Sequence, residues 1–494
     1  MGKLTLVTKS CGVFLLWAAA AVALSAQTFT TLKSFDGTDG TSPNGLVQGA
    51  DGDFYGTTQL GGTGGSGTVF KVTPSGTLTT LHSFDDTDGA EPLAGLIQAT
   101  DGSFYGTTFG GGDNHDCEGD TCGTVFKITP NGTLTPLLSF DWTDGFEPYG
   151  GVIQGIDGNF YGTTPSGGYL AKGIGNGTVF QMTRTGVVAT LYDFCAVIGF
   201  YCADGTFPRA GLVQGTDGSF YGTTEYGGNY DSCSDGCGTI FTITPNGRLT
   251  TLHSFDKTDG ASPIDVLVQG TDGNFYGTTA GGGANNGCAG GGGCGTVFSI
   301  TASGALTTLH SFDGTDGANP WAGLVQGTDG SFYGTTAYGG GSNVVCGGLP
   351  PGCGTIFGIT PSGTLTTLHS FCLQSGCVDG GVPGGLVQGT NGTFYGTAGY
   401  GADSDGTVFS LSVGLGPFVT TNPAAGKVGA SVGILGTNLT GATGVKFNGI
   451  ETAFRLVSST FIEAKVPSGA TSGIVQVQLP SGPLSSNVPF IVLP

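Results

Sequence analysis

Short segments in which apolar and polar residues alternate recur along the chain, and they predict a repeated all-β unit. Each unit has four such segments, named a to d here, and one unit reads VLVQGT (266–271), NFYGTT (274–279), GTVFSIT (295–301) and ALTTLHSF (305–312). The motif FYGTT or FYGTA marks seven units at intervals of 50 to 62 residues, beginning at Phe54, Phe104, Phe160, Phe220, Phe275, Phe332 and Phe394. Periods of this size that consist of short strands are typical of propeller blades.

The residues between the segments support this division. Asp-Gly stands between a and b in six units, first at Asp51-Gly52, and Asn391-Gly392 takes its place in the seventh. These dipeptides are strong hairpin signals because both residues tolerate positive φ. Pro74-Ser75-Gly76 or a relative of it forms a tight turn between c and d. No helix-period segment of useful length occurs between residues 28 and 413.

The two ends of the repeat region predict how it closes. FTTLKSF (29–35) is a d segment with no a, b or c before it, and the seventh unit ends after its c segment, GTVFSLS (406–412). The first segment can therefore complete the last unit and remove exposed sheet edges. We expect a seven-bladed β-propeller closed by the N-terminal strand.

Composition narrows the class of protein. The 494 residues include 99 Gly, but 32 Phe and 15 Tyr argue for buried structure rather than disorder. The formal charge is −21 and only 10% of residues are charged, so the chain has no basic surface for nucleic acid. The Gly-rich stretches 281–283 and 290–293 lie between predicted strands and open no helix, so they do not predict a phosphate site.

The first 26 residues predict a cleaved export signal. Lys3 and Lys9 precede an apolar run (11–24), and Ser25 and Ala26 supply a small-residue cleavage site, so the mature chain should begin near Gln27. A retained membrane anchor is the alternative, although the run is short for a span and no later stretch is long enough. We expect a secreted or cell-surface protein.

Twelve cysteines remain after Cys11, and they fall into six close pairs. An even number in local pairs on an exported chain predicts disulfides that each tie one loop. Zinc would require two pairs that converge on one ion, usually as C-x-x-C, and no pair has that spacing. The pairs are Cys117/Cys122, Cys195/Cys202, Cys233/Cys237, Cys288/Cys294, Cys346/Cys353 and Cys372/Cys377.

The motifs resemble known families. The a–b hairpin followed by Gly-Thr-Val-Phe-x-Ile-Thr-Pro-Ser-Gly resembles the tandem GloVer repeat of secreted bacterial proteins over residues 28–413, and more weakly NHL-repeat and streptogramin-lyase-like propellers. Residues 417–494 contain ILGTNLTGATGVKFNG (434–449) and end in SSNVPFIVLP. This region resembles the IPT/TIG domain, which implies an immunoglobulin-like β-sandwich.

Recognition is predicted on one face of the propeller. The a–b and c–d turns share one face and hardly vary, whereas the b–c and d–a connections share the other, vary in length and contain all twelve paired cysteines. Function commonly resides in loops on a rigid scaffold. We call this side the loop face and expect it to bind a glycan, a peptide or a surface protein.

Two sets of residues could supply chemistry on the loop face. SFDGTDG and its relatives after segment d could bind Ca²⁺ as a cofactor, although Asp commonly caps its own turn. The candidate calcium residues are Asp36, Asp39, Asp256, Asp259, Asp313 and Asp316. An acidic loop could hold a metal or an acid/base pair, or be a solvated loop tied by its disulfide. Its candidate residues are Asp113, His115, Asp116, Glu118 and Asp120.

Repeated positions in two strands read as structural. His82, His253, His310 and His369 occupy one position of segment d that Leu138 fills in another unit, which indicates packing. Seven Gln in segment a, from Gln48 to Gln388, are expected to make structural hydrogen bonds near the inner strands. The predicted function is non-catalytic binding or scaffolding. The alternatives are a propeller enzyme, a lyase or glycan hydrolase that uses the loop around His115, and a structural surface protein.

Overall fold

The computed structural model describes residues 27–113, 122–168, 175–196, 202–285, 287–288, 292–341, 344, 346, 351–374, 376–400 and 405–493. These residues form β-strands joined by turns and loops, and no helix occurs among them. None of these residues belongs to a helix that could cross a bilayer. β1 (Thr28–Ser34) comes first and is followed by seven antiparallel sheets whose strands a to d lie side by side in that order.

In chain order, sheet 1 contains β2 (Thr41–Pro43), β3 (Val47–Gln48), β4 (Phe54–Leu60), β5 (Thr68–Val72) and β6 (Leu78–Ser83); sheet 2 contains β7 (Ile97–Gln98), β8 (Phe104–Thr108), β9 (Thr124–Ile128) and β10 (Leu134–Ser139); sheet 3 contains β11 (Ile153–Gln154), β12 (Phe160–Thr164), β13 (Thr178–Met182) and β14 (Val188–Asp193); sheet 4 contains β15 (Val213–Gln214), β16 (Phe220–Thr224), β17 (Thr239–Ile243) and β18 (Leu249–Ser254); sheet 5 contains β19 (Val268–Gln269), β20 (Phe275–Thr279), β21 (Thr296–Ile300) and β22 (Leu306–Ser311); sheet 6 contains β23 (Val325–Gln326), β24 (Phe332–Thr336), β25 (Thr355–Ile359) and β26 (Leu365–Ser370); and sheet 7 contains β27 (Gly381–Gln388), β28 (Phe394–Tyr400), β29 (Thr407–Ser412) and β1.

The repeated motif explains how each sheet is built. In sheet 1 the hydroxyl of Tyr55 donates to Asp51 in the a–b turn over 2.7 Å, and Gly52 supplies the positive φ of 88° that the turn requires. The glycine of FYG gives space to the Phe ring of strand c. In all seven sheets a Cβ on that glycine would lie 2.6–2.7 Å from the tip of the ring, so no other residue fits without displacement.

Phe and Tyr of the same motif join one sheet to the next. The Tyr ring of each sheet packs on the motif Phe of the following sheet, with ring centroids 3.9–4.3 Å apart. The last of these pairs joins Tyr395 of sheet 7 to Phe54 of sheet 1. The stacking therefore runs through all seven sheets and returns to its start.

The strand-a glutamines form a second unbroken cycle. Each Gln Oε1 accepts a backbone N–H from the a–b turn of the preceding sheet over 2.9–3.2 Å. Gln98 accepts from Ala50 in this way, and Gln48 accepts from Thr390 to complete the cycle. The prediction of a structural role for these glutamines is confirmed.

β1 occupies the place of strand d in sheet 7. It pairs antiparallel with β29, from Thr28 opposite Ser412 to Ser34 opposite Thr407. The ring of Phe29 also stacks on His369 of sheet 6 with centroids 3.8 Å apart. The first strand of the repeat region is thus hydrogen-bonded to the last.

The C-terminal residues form a separate pair of packed sheets. One sheet is β30 (Val419–Asn422), β32 (Ser431–Gly436), β36 (Phe461–Lys465) and β35 (Phe454–Leu456); the other is β34 (Ile450–Thr452), β33 (Gly444–Phe447), β37 (Val475–Gln478) and β38 (Leu484–Ser485); and β31 (Ala425–Lys427) pairs in parallel with β39 (Ile491–Leu493). Ile434 and Ile462 of one sheet and Val445 and Val477 of the other lie in one buried core.

This C-terminal unit rests on the a–b turns. Thr460 Oγ1 donates to the carbonyl of Ala50 over 2.9 Å, and Asn422 Nδ2 donates to the carbonyl of Gln98 over 2.8 Å. The hydroxyls of Thr390 and Thr437 lie 2.8 Å apart. The unit therefore covers the side of the ring opposite to the loop face at sheets 1, 2 and 7.

Candidate functional site

A cavity of about 1310 Å³ opens on the loop face. Its walls are the segments that lead into strand a of every sheet, together with residues of several b–c connections. The first residue after a recurrent proline lines it in each repeat, and the side chain there changes from repeat to repeat: Asn44, Leu93, Tyr149, Arg209, Ile264, Trp321 and Gly384. The same backbone position thus presents a different side chain to the cavity in each repeat.

The residue before that proline has an unusual backbone. In all seven repeats it is a non-glycine residue with φ between 51° and 61°, a region that costs on the order of 1–3 kcal/mol for such residues. Its amide donates to the end of the neighbouring b–c connection, as Val382 donates to the carbonyl of Cys353 over 2.8 Å. The hydrogen bond and the following proline hold the wall residue in place.

Three of the described disulfides are hydrogen-bonded, through their second cysteines, to the residues that precede the wall prolines. The carbonyls of Cys237, Cys294 and Cys353, the second cysteines of three b–c pairs, accept these N–H groups at 2.8–2.9 Å. The structure also joins Cys195 to Cys202 and Cys372 to Cys377 in d–a connections. These five bridges confirm five of the six predicted pairs.

The sixth predicted pair, Cys117 with Cys122, is described only at its second cysteine. Cys122 is buried and disulfide-bonded, and its carbonyl accepts the amide of Glu147 over 3.1 Å, the same contact that the other b–c pairs make. Cys117 lies outside the described residues. The oxidised state of Cys122 agrees with the predicted bridge, and the identity of its partner as Cys117 stays a prediction.

One side of the cavity carries an ion pair under an aromatic ring. Arg209 Nη1 lies 3.1 Å from Glu225 Oε2, and its guanidinium lies 4.1 Å from the centroid of the Tyr149 ring. Glu225 is buried, so the arginine offsets the cost of placing a carboxylate there. The remaining guanidinium donors can serve a polar ligand.

Sheet 6 contributes an exposed aromatic platform. Trp321 is 44% exposed, and its ring meets the edge of Tyr338 with centroids 5.1 Å apart. Tyr400 of the neighbouring sheet 7, which is 51% exposed, lines the cavity as well. Large exposed aromatic rings in a concave site are suited to a ligand with apolar faces.

Asp265 places a carboxylate in the cavity wall. Its oxygens accept the amides of Val266 and Gly323 over 2.6 and 2.7 Å. Burial nevertheless raises the pKa of Asp265 to about 6. The group can therefore exchange a proton with a bound molecule near neutral pH.

The sequence of the chain matches one family throughout the sheets that surround this cavity. Residues 2–234, 176–345 and 230–452 each match the Gloeobacter/Verrucomicrobia repeat. The chain belongs to this repeat family. A comparison of the sequence with curated proteins found no match.

Solved structures resemble this Gloeobacter/Verrucomicrobia repeat protein in fold. A streptogramin B lyase has a TM-score of 0.51 and 17% identity over 78% of this chain and 97% of its own. A fungal alcohol oxidase of the AA5 family, in complex with copper, has a TM-score of 0.52 and 13% identity over 94% and 99%. Virginiamycin B lyase from Staphylococcus aureus has a TM-score of 0.47 and 15% identity over 78% and 99%. The first two show the β-propeller fold and, at such low identity, nothing about activity.

The calcium candidates of this repeat protein make protein contacts in all three repeats. Asp36 accepts the amide and hydroxyl of Thr38, and Asp39 accepts the amide of Asp36 while its second oxygen lies 2.9 Å from Lys33. Asp256 and Asp313 bind Thr258 and Thr315 in the same way, and their second carboxylates, Asp259 and Asp316, pair with His253 and His310 at 2.7 Å. The hydroxyl bonds lower the pKa of Asp36, Asp256 and Asp313.

Sequence reasoning missed the partners of the strand-d histidines. His82 and His369 likewise contact Asp88 and Asp379, and Tyr192 donates to Asp204. A comparison of the repeats with one another could have found this, because an Asp follows each His, Lys or Tyr of this position. Sheet 2 is the exception: Leu138 leaves Asp144 without such a partner, and burial raises the pKa of Asp144 to about 7.

The acidic loop is described only at its first residue. Asp113 is exposed and is not part of the cavity wall, and its amide donates to Ser139. His115, Asp116, Glu118 and Asp120 lie outside the described residues. The wall residues named above, rather than this loop, form the candidate site.

Proposed function

We propose that this chain is an exported binding protein, a seven-bladed propeller closed by β1 and followed by an immunoglobulin-like domain. The cycles of Phe–Tyr stacking and Gln hydrogen bonds support seven blades, since both return from sheet 7 to sheet 1. Two packed four-stranded sheets support the sandwich. The disulfides are compatible with an extracellular location and with the predicted signal at residues 1–26.

The ligand is proposed to enter the loop-face cavity. The observation that carries this proposal is the variation of side chains at one wall position on a braced and repeated backbone. A stiff wall loses little entropy on association. The C-terminal unit contacts the opposite side at three sheets and so reduces the surface that is open to a ligand there.

A glycan is the ligand class that the wall favours. Trp321 and Tyr400 offer aromatic faces for the apolar side of a sugar ring, while Arg209 and Asp265 offer hydrogen-bonding groups for hydroxyls. Peptides and surface proteins remain the alternatives, and a glycan and peptide array with the secreted protein distinguishes them.

The site is tested with two tryptophans of the loop face. Trp321→Ala should weaken binding of an array hit by on the order of 1–3 kcal/mol, about tenfold or more, if the indole is a hot spot. Trp142→Ala is the matched control, because Trp142 stacks on Phe146 outside the cavity wall. Equal affinity of wild type and Trp321→Ala, with loss in Trp142→Ala, would place the ligand elsewhere.

A propeller enzyme is the second candidate function, and Asp265 favours it. A carboxyl with a pKa of about 6 in a cavity can act as a general acid or base. Turnover of an array hit that is lost in Asp265→Asn and retained in Trp142→Ala would support an enzyme. Unchanged ligand after prolonged incubation would support binding alone.

A further inference from the structure

Two disulfides of neighbouring loops lie side by side. Cys346–Cys353 belongs to the b–c connection of sheet 6, and Cys372–Cys377 belongs to the d–a connection that follows the same sheet. The four sulfur atoms all lie within 4.8 Å of one another, and Sγ of Cys346 and Sγ of Cys372 are 4.0 Å apart. In the described part of the chain, this is the one group of three or more His, Cys, Asp or Glu residues with metal-ligand spacing.

The four sulfurs are close enough to share one tetrahedral metal ion once the sulfurs of each bridge have separated. Zinc binds four thiolates at about 2.3 Å, which places the sulfurs of a regular tetrahedron about 3.8 Å apart. Two pairs from two loops converge here, although neither pair has the C-x-x-C spacing from which such sites are recognised in a sequence. Cys353 and Cys372 are buried and can exclude water from a bound ion.

The surrounding backbone holds the cysteines in place. The amide of Cys372 donates to both oxygens of Asp379 at 3.1 and 3.2 Å, and the carbonyl of Cys353 accepts the amide of Val382. Gly381 lies between the loops, where a Cβ would come within 3.0 Å of Cys353 and 3.2 Å of the sulfur of Cys346. The hydrogen bonds are made by main-chain groups and a carboxylate, and no sulfur atom takes part in them.

We propose that Cys346, Cys353, Cys372 and Cys377 bind one zinc ion when both bridges are reduced. Two equivalents of a dithiol reductant deliver four electrons and four protons, break both S–S bonds and leave four thiols, while the reductant is oxidised to its own disulfide. The thiols then release four protons as their thiolates bind Zn²⁺. The oxidised chain has two separate loop ties, and the reduced, metal-bound chain has one link between both loops.

The site is tested on the full mature chain, reduced with a dithiol and then desalted without oxygen. Titration with Zn²⁺ against a chromophoric chelator should show one tightly bound ion per chain, and Co²⁺ should give the absorption of a tetrahedral thiolate site. Cys372→Ser/Cys377→Ser should lose both signals. Cys288→Ser/Cys294→Ser, which removes an isolated pair, should keep them.

Folding is checked by circular dichroism and elution volume in every variant. Cys346→Ser removes one ligand without touching the second loop, and it should weaken zinc binding at least tenfold. Reduced wild type that binds no more zinc than Cys372→Ser/Cys377→Ser would overturn the proposal. So would equal loss of zinc in Cys288→Ser/Cys294→Ser, since the ion would then not depend on the four-cysteine cluster.

Discussion

Sheet 2 provides a quantitative test of the Asp residues that pair with strand-d side chains. Asp144 occupies the position at which Asp39 pairs with Lys33 and Asp259 pairs with His253, but Leu138 stands where the partner should be. Burial therefore raises the pKa of Asp144 from 3.8 to about 7. We expect Asp144 to lower the stability of the native protein as the pH rises.

The direction of the pH dependence follows from the number of protons that the folded and unfolded states bind. The folded pKa of Asp144 exceeds the unfolded value, so the native state binds more protons than the unfolded state between about pH 4 and 7. Stability should fall with rising pH in this window and be level above it. A shift of about three pKa units corresponds to an upper limit of about 4 kcal/mol. Asp144 is partly exposed, so solvent screening reduces the expected effect to about 1–2 kcal/mol.

Two substitutions isolate this effect. Asp144→Asn removes the titrating group, and Leu138→Lys supplies the partner that Lys33 provides in sheet 7. Melting temperature or free energy of unfolding should decline less between pH 4.5 and 7.5 in both variants than in wild type. The slope is compared rather than the absolute value, because Leu138 also packs against the buried core between sheets 2 and 3. Parallel pH profiles for all three proteins would refute the reasoning.

Three further changes test other parts of the structure. Deletion of residues 28–34 should lower the melting temperature and cause aggregation, because β29 would become an exposed edge; a monomeric elution profile with unchanged melting would contradict ring closure. Val382→Gly should stabilise the chain by about 1 kcal/mol in urea unfolding, because Val382 has a φ of 52°; loss of stability would show that its side chain contributes more than its backbone costs. Addition of Ca²⁺ or of a chelator should leave the melting temperature unchanged, because Asp36 and Asp39 already contact protein donors. A higher melting temperature with Ca²⁺ would contradict this prediction and support calcium binding.

Local signals made the sheets predictable from the sequence. Asp51-Gly52 fixes a hairpin within a few residues, and the Phe54-Tyr55-Gly56 motif satisfies packing requirements that recur in every repeat. The orphan d segment at residues 29–35 indicated its partner because the seventh unit lacked one. The hairpins and the motif packing depend on residues close together in the sequence, and ring closure could be predicted by counting the segments of each repeat.

The candidate site was harder to predict because it depends on which repeats face each other. Arg209 and Tyr149 belong to consecutive repeats and come into contact only through the packing of one repeat against the next. The acidic loop at Asp113 attracted attention by its composition, whereas the cavity wall consists of single substitutions after a common proline. The convergence of Cys346 with Cys372 could not be read from pair spacing, since the two loops are 26 residues apart in sequence.

The pairing of β1 with β29 also imposes an order in time. β1 is synthesised first, and its partner follows about 370 residues later. At ribosomal rates of roughly 5–20 residues per second, the first strand waits roughly 20–75 s for its neighbour. During that interval six sheets can form from contiguous residues, but the seventh cannot. The final assembly step is therefore the capture of the oldest strand by the newest, and any factor that shields the N-terminal segment until then would act on the completion of the ring rather than on the individual sheets.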